Sequence, residues 1–356
     1  MYVDFESYGY YPALRTRAAE LGGLKQLTRQ EKEKIVPLIT LGKWPRSEDI
    51  QVSLDKVVDA MEDLPFILDV TREGKHHSES SAGLLSTENN FSAWRNFVSQ
   101  RKNIVPVVQI TDGAKLREIT MQAREFEETK QSLAFRITNP QRDIQKVISS
   151  LATLDTPENA IVFIDLGYVR GNMPIATAAA VSAINQLRQE IPETIISVLS
   201  TSFPSTVTTF CREDGRSGEI DIIERELFQT IGGRDICIYG DHGSIHAVVY
   251  DETGGRYVPR IDLPFDDSWY FERRSGEDSS GYIDAARAIL RECPEVADEA
   301  GWGPEMIRNA ANGQIEGMGS PAKWIAVRVN MHISRQIRLS HILAEGSGEE
   351  EEDDFF

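Results

Sequence analysis

Six short apolar runs recur along the chain, each closing with a polar residue, an apolar one, and then Thr or Gly. They occupy 38–42, 67–71, 107–111, 134–138, 163–167 and, more loosely, 197–201. Runs of this length, rich in Ile, Val and Phe, are what strands buried on both faces of a parallel sheet look like. Amphipathic stretches separate them. Asn139-Pro140 offers an N-cap followed by proline at the first helical position, and Ile144, Val147, Ile148, Leu151 and Leu154 then form one apolar stripe. Pro174 opens a similar stretch, and earlier helices read over 49–62, 90–100 and 114–129.

Strands alternating with helices imply right-handed crossovers and a parallel sheet. Adding 10–15 at the start and 235–239 at the end gives eight strands, which predicts an α/β fold of the TIM-barrel-like (β/α)8 type. An open doubly wound sheet is the alternative, but no Gly-x-Gly-x-x-Gly follows a strand. Past residue 240 the rhythm breaks. Two β-prone runs around Thr253-Gly254-Gly255 predict a hairpin insertion at about 245–262, and a loop rich in Ser, Gly and charge follows at about 273–281. Helices over 283–292 and 322–339 are expected to close the barrel as its last outer element. The expected organisation is a single barrel domain over 1–340, with a disordered acidic tail from 345 to 356.

Charge narrows the partners. The formal net charge is −18, and seven of the carboxylates fall in the last dozen residues, leaving a body that is still strongly acidic. A broad basic surface for duplex DNA is therefore not expected. Cys211, Cys237 and Cys293 are odd in number and form no Cys-x-x-Cys, so neither a disulfide framework nor a thiolate zinc site is indicated, and a cytoplasmic location is expected. The first residues are acidic and polar, and no apolar run approaches the roughly 20 residues of a membrane span.

The polar residues at the strand ends carry the candidate chemistry. In barrel register Asp69, Gln109, Arg136 and Asp165 occupy similar levels, Asp241 and His242 follow the last strand, and Arg15 and Arg17 follow the first. Carboxylates, a histidine and arginines around one mouth suit a phosphorylated ligand or a divalent metal, with Asp69, Asp165, Asp241 and His242 as the metal set. The plainer alternative is that Arg136 pairs with Asp69 or Asp165 and completes a buried polar layer. His242 and His246 share a four-residue spacing, but Gly240 and Gly243 make their segment a turn rather than a helix. His76-His77 lies in a Ser- and Glu-rich loop and reads as solvated. No nucleophile elbow, Walker loop or His-Glu-x-x-His is present, so catalysis is not signalled.

The opening Tyr11-Pro12-Ala13-Leu14-Arg15 with Glu20, then Ile35-Val36-Pro37, resembles the start of the "beta family" proteins of phages, satellite phages and bacterial genomes. The Tyr239-Gly240-Asp241 turn, the closing Gly317-x-Gly319-Ser320-Pro321-x-x-Trp324, and His332 are similar to that family's later landmarks, over roughly 10–340. His242 stands where a Tyr is usual, and His332 is single where paired histidines often occur. The resemblance implies a barrel-like fold and a place beside toxin-like genes in phage-defence cassettes. Trp324 and His332, eight residues apart on one expected helix, read equally as ligand contacts or as packing against the barrel.

The functional expectation is a binding component of a phage-defence or toxin–antitoxin-like cassette, engaging at the barrel mouth a protein partner from the same cassette or a small or nucleotide ligand. A metal-dependent hydrolase or phosphodiesterase is the rival. The tail adds a third reading: Asp353, Asp354, Phe355 and Phe356 resemble the acidic, Phe-ended tip with which single-stranded-DNA-binding proteins dock on partners. A solubilising tail is its plain alternative, and folding back over the Arg15/Arg136 mouth is another.

Overall fold

The computed structural model describes residues 1–248, 258–275 and 280–349. Among these, the chain forms eleven strands: β1 (Tyr10–Arg15), β2 (Leu38–Leu41), β3 (Phe66–Val70), β4 (Ile104–Pro106), β5 (Leu133–Ile137), β6 (Ala160–Tyr168), β7 (Ile195–Thr201), β8 (Ser217–Asp221), β9 (Ile238–Asp241), β10 (Arg260–Pro264) and β11 (Ser268–Arg273). Eight of them run parallel in the order β4-β3-β2-β1-β9-β7-β6-β5. The edges β4 and β5 meet through a single parallel bridge, Val107 to Ala134. The result is a nearly closed (β/α)8 barrel, as the alternation of strand and helix patterns predicts.

The helices between strands start where capping chemistry allows. Asn139 accepts from the Arg142 amide ahead of Pro140–Leu151, and Asp49 accepts from the Gln51 amide ahead of Ile50–Met61. Their apolar stripes pack on the outer face of the strands in one large buried cluster. Inside the barrel a second cluster holds Tyr11, Ala13, Leu38, Ile67, Ala134 and Phe163 with their neighbours. The N-terminal segment closes its lower end: Val3 and Phe5 join this cluster, and the Tyr11 hydroxyl donates to the Phe5 carbonyl at 2.7 Å. Gly240 keeps that interior open. A Cβ there would stand 2.4 Å from the Leu199 side chain and 2.9 Å from the Tyr11 carbonyl.

A separate three-stranded antiparallel sheet, in the order β10-β11-β8, was not expected. The helices Ser280–Glu292, Trp302–Ala311 and Pro321–Glu349 share a buried cluster with it, centred on Ile261, Tyr282, Ile289, Trp324 and Val327. The last of these helices also lies on the barrel, against the helix Ala18–Lys25 and β1. Close approach there needs Gly23, where a Cβ would come within 2.7 Å of the Ala326 carbonyl. On its other side Arg328 bonds Asp262 of β10 at 2.6 Å.

Several boundaries need correction. The fourth strand starts at Ile104, ahead of the 107–111 run, because its ladder with β3 pairs Phe66 with Ile104 and Leu68 with Pro106. The last barrel strand is Ile238–Asp241 rather than 235–239, since Gly233–Asp235 forms a 3-10 turn. The helix 283–292 does not close the barrel but covers the small sheet. The observed hairpin joins β10 to β11, later than the expected 245–262, whose turn at 253–255 lies outside the described residues. Residues 276–279 of the expected 273–281 loop lie outside them too. The final helix runs to Glu349, into the segment read as disordered, and residues 350–356, with Asp353, Asp354, Phe355 and Phe356, are also outside the description. No helix among the described residues is long and apolar enough to cross a membrane.

Candidate functional site at the barrel mouth

Alternation along each strand builds the site. Positions two residues beyond the interior apolar layer point into the same barrel, nearer its C-terminal end. Leu38 is followed in this way by Thr40, Ile67 by Asp69, Val107 by Gln109, Ala134 by Arg136 and Phe163 by Asp165. An apolar floor is thus overlaid by a polar layer, with Arg136 at its centre. The guanidinium donates to Asp165 at 2.6 and 3.0 Å, to Asp69 at 3.1 Å and to the Thr40 hydroxyl at 2.8 Å.

The remaining lone pairs are also occupied. Asp69 accepts from its neighbour's amide, Val70, at 2.8 Å and from the Gln109 side chain at 3.1 Å. On Asp165 the second oxygen takes the Gly167 amide at 3.0 Å and lies 2.9 Å from His242 Nε2. Burial alone would raise the Asp165 pKa, but His242 and then Arg136 outweigh it and hold the carboxyl well below its usual range. Burial likewise opposes the Arg136 charge, and Asp165 and Asp69 reverse that, raising its pKa.

Above this layer opens a cavity of about 390 Å³. Its wall includes Arg15, Arg17, Lys43, Arg72 and Arg142, all from strand ends or from segments that follow them. Arg15 is fixed by Glu20, which accepts from its amide at 2.6 Å and its Nε at 3.1 Å. Arg142 is forked onto buried Asp143, with two contacts of 2.7 Å, at the start of its helix. Arg17 instead reaches His76, 3.0 Å from Nε2, and Arg72 stands 3.9 Å from Asp69. Burial, and then Arg17, lower the His76 pKa, which favours the neutral ring.

Sequence reasoning placed Arg15, Arg17, Asp69, Gln109, Arg136, Asp165 and His242 around one mouth, and the structure brings them there. It missed His76, Arg72 and Arg142. His76 is not simply solvated but part of the cavity wall. The available signal was position: all three follow barrel strands, and such βα loops converge on the C-terminal face.

Asp241 is the main correction. It lies one residue before His242, so its side chain leaves the opposite face of β9 and joins the outer layer. There it accepts from Tyr10 at 2.6 Å, Tyr239 at 3.0 Å and the Gly243 amide at 2.8 Å, and lies 2.8 Å from His332 Nε2. Despite burial, His332, then Tyr10 and the Gly243 amide, lower its pKa to about 2. The metal set of Asp69, Asp165, Asp241 and His242 is therefore split between two faces of the wall. Among the described residues, no group of three or more His, Cys, Asp or Glu is arranged to hold a metal ion.

Trp324 and His332 are also away from the mouth. Trp324 stacks on Tyr282 with ring centres 5.1 Å apart and donates to the Met318 carbonyl at 2.8 Å. His332 is sealed between the last helix and the barrel, 1% exposed, with its ring stacked on Trp269.

The family model described as Beta protein matches residues 10–338, close to the span over which the landmarks were read. "Protein beta" of Enterobacteria phage P4 is 63% identical over 353 residues, covering 99% of each chain. Family landmarks Arg15 and Glu20 form an ion pair in the mouth wall, and the landmark Asp241 anchors His332 at the barrel–helix seam. The chain belongs to the Beta protein family, which includes this phage protein.

Proposed function

We propose that this phage-associated protein is the binding component of a phage-defence or toxin–antitoxin-like cassette and takes a small anionic ligand of phosphate or nucleotide type at its barrel mouth. One observation carries the reading: in a chain of net charge −18, the mouth gathers Arg15, Arg17, Lys43, Arg72, Arg136 and Arg142 around one cavity, outnumbering its carboxylates Glu20, Asp69, Glu73, Asp112 and Asp143. Arg17 and Arg72 lack the close carboxylate fork that holds Arg142, so a ligand's anionic oxygens would be their best partners. A protein partner encoded beside this chain would engage the same mouth through an acidic segment. The metal-dependent hydrolase is less well supported, because Arg136 and His242 already occupy the oxygens of Asp165.

The experiment is a thermal-shift and calorimetric panel of inorganic phosphate, mono- and dinucleotides, and Mg²⁺ or Mn²⁺. A ligand at about a hundred times its Kd adds about 2.7 kcal/mol to the native state, which a melting curve resolves. Stabilisation by a phosphorylated ligand that weakens in Arg17→Ala and Arg72→Ala supports the reading. Stabilisation by metal alone, or ligand binding indifferent to both substitutions, overturns it.

A further inference from the structure

Away from the mouth, a groove of about 700 Å³ lies where β11, the turn before β8 and the helix Ser280–Glu292 meet. Five arginines line it, Arg216, Arg273, Arg274, Arg287 and Arg291, against two carboxylates, Asp214 and Asp284. Glu272 neutralises Arg274. The side chains of Arg287 and Arg291 stay 58% and 68% exposed, with Arg287 3.9 Å from Asp284. Arg273 donates to the Cys211 sulfur at 3.3 Å and the Gly215 carbonyl at 3.5 Å.

Through the shared residues Val258 and Arg273, the groove adjoins a hollow of about 230 Å³. Val207, Pro321, Trp324 and Ile325 give the hollow apolar walls, beside an Arg260–Asp262 ion pair of 2.8 Å. The surface therefore presents a row of cations and then an apolar recess. Residues 349–356 present the complementary order, six consecutive carboxylates followed by Phe355 and Phe356.

We propose that this groove and hollow receive the segment 349–356 of a second copy of the chain, its acids along the arginines and a Phe ring in the hollow. Reach excludes the same copy. Trp324 and Ile325 of the final helix line the hollow, whereas Glu349 lies at that helix's far end. At about 1.5 Å per residue, the stretch from Trp324 to Glu349 is roughly 38 Å long. The seven residues from 350 to 356 extend at most about 25 Å. A segment that cannot fold back onto its own groove is free for a neighbour's, either by reciprocal exchange in a pair or by head-to-tail addition in rings and filaments.

The test is sedimentation velocity of the full chain across a concentration series, with fluorescence anisotropy of a labelled peptide of residues 346–356. Concentration-dependent association is expected, lost in about 0.5 M salt, where charge attraction is screened within a few ångströms. It should also be lost in Arg287→Glu/Arg291→Glu and, separately, in Phe355→Ala/Phe356→Ala. The peptide should bind the full chain at least tenfold more weakly when the arginine pair is reversed. A chain monomeric at every concentration that fails to bind the peptide overturns the proposal. So does peptide binding that survives the arginine reversal, or that is abolished by Arg17→Ala, which would place the segment at the mouth.

Discussion

Two buried carboxylates on different strands, Asp165 of β6 and Asp241 of β9, show how differently a barrel wall treats its faces. Asp165 and Asp241 each have a histidine partner and a depressed pKa. Asp165 belongs to the inward layer beneath the mouth cavity, where Arg136 shares it with Asp69. Asp241 belongs to the outward layer, where two tyrosines and His332 enclose it and Arg225 lies over the Tyr239 ring, 3.4 Å from its centre. Burial, with Asp241 next, pushes both tyrosine hydroxyls well above their usual pKa, so they remain donors. The inward network faces space that a ligand can enter. The outward one joins two layers of the fold.

That contrast is broken most directly at the seam. His332→Ala leaves Asp241 buried without its histidine partner and is expected to cost about 3–5 kcal/mol of unfolding free energy in urea. Mouth ligand affinity per folded molecule should be unchanged; a parallel loss of affinity would mean that the two networks are one. Next, Arg136→Met should cost about 3 kcal/mol by removing the guanidinium that Asp69 and Asp165 share. Adding Asp69→Asn and Asp165→Asn should recover more than half of it, because neutral amides need no counter-charge. Failure to recover would show that Arg136 acts through packing.

Acid sharpens the comparison at a smaller scale. Asp241's folded pKa, about 2, lies below its unfolded value near 3.8. Its contribution is therefore complete above the unfolded value and is lost as pH falls toward 2, an effect of roughly 2 kcal/mol. Asp165 has the same sign, and its loss extends lower still. Glu224 runs the other way, because burial raises its pKa and protonation relieves that cost. Asp241→Asn should flatten the acid limb of stability measured between pH 4 and 2; an unchanged slope would remove this carboxylate from the linkage. Smallest in stability is Arg17→Ala, within about 0.5 kcal/mol, although mouth ligand affinity should fall about tenfold. Equal affinity would leave Arg17 outside the site.

The barrel was legible because strands buried on both faces keep an apolar signature that survives without tertiary information. The mouth was partly legible for the same reason, since one polar residue near each strand end marks the upper layer. What sequence hid was parity at the last strand. Moving its boundary from 235–239 to Ile238–Asp241 put Asp241 inside a strand, where alternation separates it from His242. The small sheet was hidden differently. β8 carries Gly218 and Glu219 with little apolar content, and it finds its partner β11 about fifty residues later. No local pattern encodes such a pairing.

The single bridge between β4 and β5 has a structural consequence. Beyond it, a helix supplies the missing rung: the Gln122 side-chain amide accepts from the Gln109 N–H at 2.8 Å and donates to the Gln109 carbonyl at 3.2 Å. Both glutamines are fully buried, so this one side chain satisfies backbone groups that the ladder leaves open. Ile110, Thr111 and Asp112 follow directly and line the cavity. The mouth's wall is therefore backbone ladder along β1–β2–β3 and, beside Gln109, a join that one glutamine side chain completes.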